Sequence, residues 1–437
     1  MTPENQNSLK PCPGAGTASS LRWRRPNRGS NSGPPGVHGG CANPGLRALC
    51  RSAKSFWTLE FEHALALNPD YPMAHSGLGV TMALCVLNRR DPAELEIALK
   101  QFAPRRGTGS RSRRTLPWLC YTHIRRSETA LAIEAGRTGV SLLPDLPQAH
   151  YFLSLAYLVT CEEGAQNYQP AVNHLLRAMQ VGPHWHPSLF VISYIALLTG
   201  DYDHAVDFAG RLIEKSKLPG LPFLGAEIVV GSALYRQGNR TQARNVLNGF
   251  VEQTPNSEHM YRDAMTAIGD CVLGELEIRE GNFDTALALF RRAWHTLQEH
   301  PRINAHARIS ARVQAGVAAG HAALGRRDQA VAALAKALDL TTGGIPVGFA
   351  AAAASLPELY LSLAAAQVRV GDLANVGESV RRAIGTGWRD AYWLQQDPEL
   401  APLRDAPSFI SGVAEIRSAP RVRFGPAAAA AGGTPAS

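Results

Sequence analysis

A glycine, four mostly polar residues and then a small residue recur along this chain of 437 residues. The copies are Gly200-Asp201-Tyr202-Asp203-His204-Ala205, Gly238-Asn239-Arg240-Thr241-Gln242-Ala243, Gly281-Asn282-Phe283-Asp284-Thr285-Ala286 and Gly325-Arg326-Arg327-Asp328-Gln329-Ala330, with a weaker fifth at Gly371-Asp372-Leu373-Ala374-Asn375-Val376. Successive turn glycines are 38, 43, 44 and 46 residues apart. Each turn separates two stretches whose apolar residues recur at three- and four-residue steps, the period of a helix with one buried face. Paired helices repeated at this spacing describe a stack of hairpins, each burying its apolar side against the next. The pattern predicts an all-α fold, a right-handed superhelical solenoid of antiparallel helix hairpins. Function is expected in a surface, with no single side chain needed for chemistry.

The periodicity begins abruptly near Ser52. Before it, residues 1–51 mix Pro, Gly, Ser and Arg with too few apolar groups to fill a core, and read as a disordered extension, either a misassigned start or a foreign addition. The repeat array is expected over 52–386. Asn68-Pro69-Asp70 ends its first helix, because Pro disfavours helical backbone in the residue before it, and Tyr71–Val86 forms the next. Further pairs are expected over 127–158, 168–198, 203–235, 241–278, 284–324 and 328–369, each span joining a second helix to the following first helix, with 373–385 as the last second helix. Residues 161–167 are an extra segment. A flexible arginine-rich insert, 101–115, interrupts the array. Residues 387–416 offer two short helices around Asp397-Pro398 that cap it, and 417–437 read as a disordered tail.

The small and bulky positions carry a family resemblance. Phe61, Ala64 and Pro69 close one unit and Leu78-Gly79 sits in the next first helix; Tyr360, Leu363 and Ala364 fit a first helix, and Ala286, Phe290 and Ala293 a second. Prolines follow second helices at Pro69, Pro144, Pro183 and Pro255. The array resembles the tetratricopeptide repeat family, whose units are antiparallel helix pairs. Close helix approach is expected at Gly79, Gly231, Gly274, Ala330, Ala337 and Ala364, with bulk from Phe61, Tyr157, Leu247 and Phe290. Most units exceed the family's usual length, so longer helices or wider loops follow. The run from Gly387-Trp388 to Ser408-Phe409 resembles the segment closing the repeat arrays of bacterial multidomain signalling proteins such as serine/threonine kinases and adenylate cyclases. Trp388, Trp393, Leu400, Leu403 and Phe409 would then cover the open end of the last hairpin.

Composition narrows the function classes. The net charge of +8 is not spread evenly: residues 1–55 hold eight Lys or Arg against one acid, and 100–126 eight against none, while the remainder has 28 basic and 35 acidic residues. The body is mildly acidic and would repel a long polyanion, so specific nucleic-acid binding by Arg22, Arg24, Arg25 and Arg28 with Trp23, or by Arg105, Arg106, Arg111, Arg113 and Arg114, is disfavoured. Seven scattered cysteines form no C-x-x-C pair, and Cys85, Cys161 and Cys271 read as small buried hydrophobes. His184-Trp185-His186, with His174 and His204 nearby, lacks the convergence of a metal site. Glu275, Glu277 and Glu280 read as surface-solvating carboxylates, and neither a G-x-S-x-G elbow nor a P-loop is present. No cofactor is expected. No apolar run reaches the ~20 residues of a membrane-spanning helix, and a cytoplasmic protein is expected.

These features point to a non-enzymatic scaffold that binds a protein or peptide partner on a concave face built from the first helices. Repeat phase nominates Tyr194, Glu227, Arg236, Glu277, Arg312 and Arg369 for that face. The alternative is the regulatory or sensor region of a bacterial signalling or transcription protein whose effector domain is missing or separately encoded.

Overall fold

The computed structural model describes residues 59–85, 92–102, 115–165, 167–217, 223–257, 259, 262–300, 306–342 and 355–425. The expected extension at 1–51, residues 103–114 of the basic insert and the tail beyond 425 lie outside these. Helix α1 covers 59–67. There follow α2 (Pro72–Cys85), α3 (Pro92–Phe102), α4 (Leu116–Arg125), α5 (Thr129–Leu142), α6 (Pro147–Thr160), α7 (Gln169–Val181), α8 (Pro187–Leu198), α9 (Tyr202–Ser216) and α10 (Ala226–Arg236). The series continues with α11 (Arg240–Gln253), α12 (Arg262–Arg279), α13 (Phe283–Glu299), α14 (His306–Ala323), α15 (Arg327–Thr342), α16 (Leu356–Val370), α17 (Leu373–Gly385), α18 (Ala391–Gln396) and α19 (Pro407–Ser418). No strand occurs among the described residues. Helices α2 to α17 pair as successive antiparallel hairpins, giving an all-α solenoid. The first helix of each hairpin is termed A and the second B. The extra segment at 161–167 contains a π-helical turn, Cys161–Ala165.

Turn glycines set the hairpins. Gly200, Gly238, Gly281, Gly325 and Gly371 all have φ between 71° and 88°, a left-handed conformation in which a Cβ would meet the following carbonyl. In each, the residue after the glycine donates its N–H five residues back, as Asn239 does to the Leu234 carbonyl at 2.9 Å and Asn282 to Glu277 at 2.8 Å. This ties up the carbonyls left unpaired where the helix ends. The α4–α5 turn repeats the geometry without glycine: Ser127 has φ 62°, and Glu128 N–H reaches the His123 carbonyl at 2.9 Å.

Burial separates the two helix sets. Ser188–Leu198, eleven of the twelve residues of α8, are buried, whereas α9 buries only Ala205, Phe208, Ala209 and Leu212. A helix apolar on one stripe lies at the surface, and one apolar all round lies inside. The A helices are interior, and the B helices pack outside them. Small A-helix residues admit large B-helix ones: a Cβ on Gly79 would lie 2.5 Å from the Phe102 ring, and one on Gly231 2.6 Å from Leu247. Phe290, fully buried, fills the notch between Gly274 of its own hairpin and Gly316 of the next A helix, where a Cβ would sit 2.8 and 2.3 Å from its ring.

The C-terminal segment reaches further than the last hairpin. Helix α19 packs on α17, as capping requires. Arg389 N–H, however, donates to the Leu198 carbonyl at the end of α8, 3.0 Å away. Part of the expected disordered tail is placed: Phe424 is buried beside His204 and Phe208, 5.3 and 6.4 Å between ring centres. Arg423 N–H donates to Gln169 Oε1 at 2.8 Å. That reading of 417–437 is corrected for residues up to 425; Phe424 finds an aromatic seat that composition alone did not reveal.

Phe290→Ala should cost about 3–5 kcal/mol, and the exposed Arg291→Ala within about 0.5 kcal/mol, by denaturant unfolding. Gly281→Ala, with no neighbour near its Cβ, should cost about 1–2 kcal/mol from backbone strain alone. Gly316→Ala should cost less in a Phe290→Ala background than in the parent chain, whereas the Gly281→Ala cost should not change. Strict additivity at Gly316 would contradict the packing.

Candidate functional site

The A helices α8, α10, α12, α14 and α16 meet through a buried polar circuit. Glu358, in the first turn of α16, accepts from Arg236 Nη2 of α10 at 3.1 Å and from Arg312 Nη1 of α14 at 2.8 Å. Arg312 turns its Nε and Nη2 edge to Glu275 of α12, at 2.7 and 2.8 Å. Ser362 Oγ of α16 donates to the same Glu275 at 2.7 Å. On α8, the Tyr194 hydroxyl donates to Ser355 Oγ, the N-cap of α16, at 2.5 Å. Arg308 of α14 grips Glu162 of the π-helical turn at 2.9 and 3.0 Å. Burial pushes the Glu275 carboxyl upward, but the Arg312 and Arg279 charges and the Ser362 hydrogen bond outweigh it and hold the group below its ordinary range. A void of about 10 Å³ lined by Cys271, Arg308, Arg312, Ser355 and Leu359 has room for at most one water molecule.

The circuit extends into the C-terminal segment. Arg279, the last residue of α12, grips Asp397 at 3.2 and 2.9 Å, and Arg369 of α16 holds Glu399 through its Nε and Nη2. Arg236 lies over the Trp388 and Trp393 rings, 4.8 and 5.8 Å from their centres, and 3.9 Å from Asp390. The Tyr202 hydroxyl of α9 donates to Asp390 at 2.5 Å. Burial raises the Asp390 carboxyl above its ordinary range, with the Arg236 charge opposing. Trp388, Asp390, Trp393, Asp397 and Glu399 are all buried. Arg236, Arg279 and Arg369 each stand two residues before a turn glycine (Gly238, Gly281 and Gly371), so the repeat delivers three guanidinium groups to the same end of the A helices.

Of the six positions nominated from repeat phase, Tyr194, Arg236, Arg312 and Arg369 join this one network. Glu277 and Glu227 do not. Glu277 is buried but faces the preceding B helix, paired with Arg244 of α11 at 2.8 and 3.1 Å. Two residues along a helix rotate a side chain by roughly 200°, and Glu275 and Arg279, four apart, are the ones that point inward. Glu227 sits at the opposite end of α10 from Arg236, its carboxyl raised by burial. Three of the six, Tyr194, Glu277 and Arg312, are under 7% exposed. The expectation of an open face is corrected accordingly: the chain's own carboxylates and tryptophans occupy it. Glu275, Arg279 and Glu358 were missed as members, and Glu275 was read as solvating a surface. The recurring arginine two places before the glycine was the signal that could have found Arg279.

The histidines separate too. His204 pairs with Asp201 at 2.9 Å, and His174 Nδ1 lies 3.0 Å from His150 Nδ1. Among the described residues, no three His, Cys, Asp or Glu are placed to hold a metal ion, and no helix is long and apolar enough to cross a membrane. Cys161 and Cys271 are buried, as is Cys120.

Residues 230–257 match the Tetratricopeptide repeat profile. No curated protein matches the chain in sequence. In fold it is similar to a Rap protein complexed with Competence and Sporulation Factor, at 13% identity and a TM-score of 0.50, over 84% of this chain and 98% of that one. Apo RapI is also similar, at 13% identity and a TM-score of 0.50, over 77% and 97%. A chain of the APC/C hetero-tetramer Cut9–Hcn1 aligns at 14% identity and a TM-score of 0.46, over 84% of this chain and 58% of that one. This chain thus spans little more than half the length of that one. The class is a tetratricopeptide-like helical-repeat solenoid.

Arg279→Met leaves Asp397 buried without its cation and should cost about 3–5 kcal/mol, read by denaturant unfolding. A loss below that of Arg291→Ala would mean that the pair is not formed. A pH effect follows from the histidine pair. His150 Nε2 donates to the Pro144 carbonyl at 2.9 Å, which leaves its Nδ1 bare to accept from His174. Burial, with the His150 and Arg137 charges, pushes His174 down from 6.5 to about 4, and burial lowers His150 as well. The folded chain then binds fewer protons than the unfolded one between pH 6.5 and about 4, so stability is intact above that window and falls as pH drops through it. His174→Gln should flatten the pH dependence of the melting temperature there; an unchanged slope would contradict the pairing.

Proposed function

We propose that this chain is a non-enzymatic protein-interaction scaffold that binds a partner peptide or helix through the A helices of its repeats, in the cytoplasm. The observation that carries this reading is the row Arg236, Arg279 and Arg369, one residue type at one repeat position, set against aromatic and acidic side chains. Apolar residues would cap a repeat stack as stably, because buried ion pairs contribute little net stability over well-packed isosteres. Charge complementarity instead selects which segment sits there. The described helices α2 to α17 form the proposed repeat domain, and α18 to α19 its closing segment. Likeness of fold adds plausibility: the similar Rap protein is one complexed with Competence and Sporulation Factor.

A second reading is the regulatory repeat region of a signalling or transcription protein, of the kind in which kinases or cyclases carry the effector domain. What favours it is the occupied A-helix face, which a regulator could hold shut until needed.

A photo-crosslinking side chain at position 362, which faces the circuit, should capture a partner in the source cell, and one at position 291 on the outer B-helix surface should not. Capture from position 291 alone would move the binding surface to the B helices and overturn the proposal.

A further inference from the structure

The segment from Trp388 to Leu400 is bound to the A helices as a separate peptide would be. Among the described residues, one backbone–backbone hydrogen bond ties it to an A helix, from Arg389 N–H to the Leu198 carbonyl. Side chains make the other contacts named above. Arg279 pairs with Asp397 at 2.9 Å and Arg369 with Glu399, while Arg236 lies over the Trp388 and Trp393 rings and 3.9 Å from Asp390. The Arg279 guanidinium is also 5.8 Å from the Trp393 ring centre. Arginine, tryptophan and paired charge are the composition of intermolecular hot spots. The apolar core of the hairpins away from this segment is Ala, Leu, Ile, Val and Phe with Met265 and Cys271, and no tryptophan is fully buried in it. Two carboxylates two positions apart, Asp397 and Glu399, meet arginines from two different hairpins, Arg279 of α12 and Arg369 of α16.

On the reading that the A helices bind a peptide, we propose that their arginine-lined ends are a receptor for an acidic, tryptophan-bearing peptide, and that residues 388–400 are a copy of it in cis that holds the site closed. A partner competes with this tethered copy, and its apparent affinity is reduced by the fraction of time the segment is released. Trp388, Trp393, Leu394 and Leu400 anchor the copy by burial, so release is infrequent at rest. Loss of its two gripped carboxylates raises the open fraction while leaving the arginines in place.

The test uses the full chain and a fluorescent synthetic peptide of residues 388–400, with binding read by anisotropy. The variant Asp397→Ala/Glu399→Ala should bind it at least about tenfold more tightly than the parent chain. Adding Arg279→Ala and Arg369→Ala should remove that gain. A peptide carrying Asp390→Asn, Asp397→Asn and Glu399→Gln should bind at least about tenfold more weakly. Amide exchange of the parent chain decides the matter even if a variant does not fold: residues 391–403 should exchange at least about a hundredfold faster than the core of α8, as a sub-global opening does. Protection equal to α8 would overturn the proposal by making the segment an inseparable part of the core. Equal peptide binding by parent and variant would also overturn it. If the peptide without side-chain carboxylates binds as well as the acidic one, and only with the arginines intact, the acidic chemistry falls while the A-helix reading stands.

Discussion

The Glu358 carboxylate is where this solenoid meets itself. It belongs to the last A helix, and one of its two arginine partners, Arg236, comes from a helix 122 residues earlier. In a regular repeat stack each unit touches only its neighbours. Here α16 also engages α8 and α10, and this closure determines what the interior contains. Arg236 and Arg312 are buried by it, so each requires a carboxylate, and Glu358 supplies one oxygen to each. Glu275 completes the Arg312 pairing, and Asp390 draws Arg236 toward the C-terminal segment.

Apolar burial provides the cohesion, and the charges provide the arrangement. Phe290 between Gly274 and Gly316, and Leu247 against Gly231, are contacts of the kind worth several kcal/mol each. An exposed pair such as Lys217–Glu214 on α9, with both side chains more than half exposed, contributes at most about 1 kcal/mol. The buried pairs lie between these cases. Compared with an apolar core they add little, but removing one partner strands an ion where water cannot reach it. Such pairs penalise any arrangement in which the A helices meet out of register.

The hairpins were legible because their signals are local. A positive-φ glycine, a small residue facing a large one and a helical apolar period each occupy a few adjacent positions, and Gly371, the weakest copy by sequence, has the same φ of 88° as Gly238. At the α4–α5 turn periodicity alone marked a helix start near 127, because Ser127 supplies the left-handed conformation without a glycine to flag it. The site was legible only in part. Repeat phase nominated Tyr194, Arg236, Arg312 and Arg369 for an open face, and the structure joins them in one buried network, whereas Glu277 lies two residues out of phase, enough to turn it to the neighbouring hairpin. Closure was not readable at all: nothing local to Glu358 indicates that its partner lies 122 residues away, and the burial of Phe424 against α9 is equally non-local.

A double-mutant cycle between Arg236→Met and Glu358→Gln tests the closure directly, because residues so distant in sequence couple only if the fold brings them together. The account predicts a coupling energy of about 1–3 kcal/mol from the unfolding of parent, single and double variants. Additive losses, with coupling near zero, would mean that α10 and α16 do not meet, and the closed face would not exist.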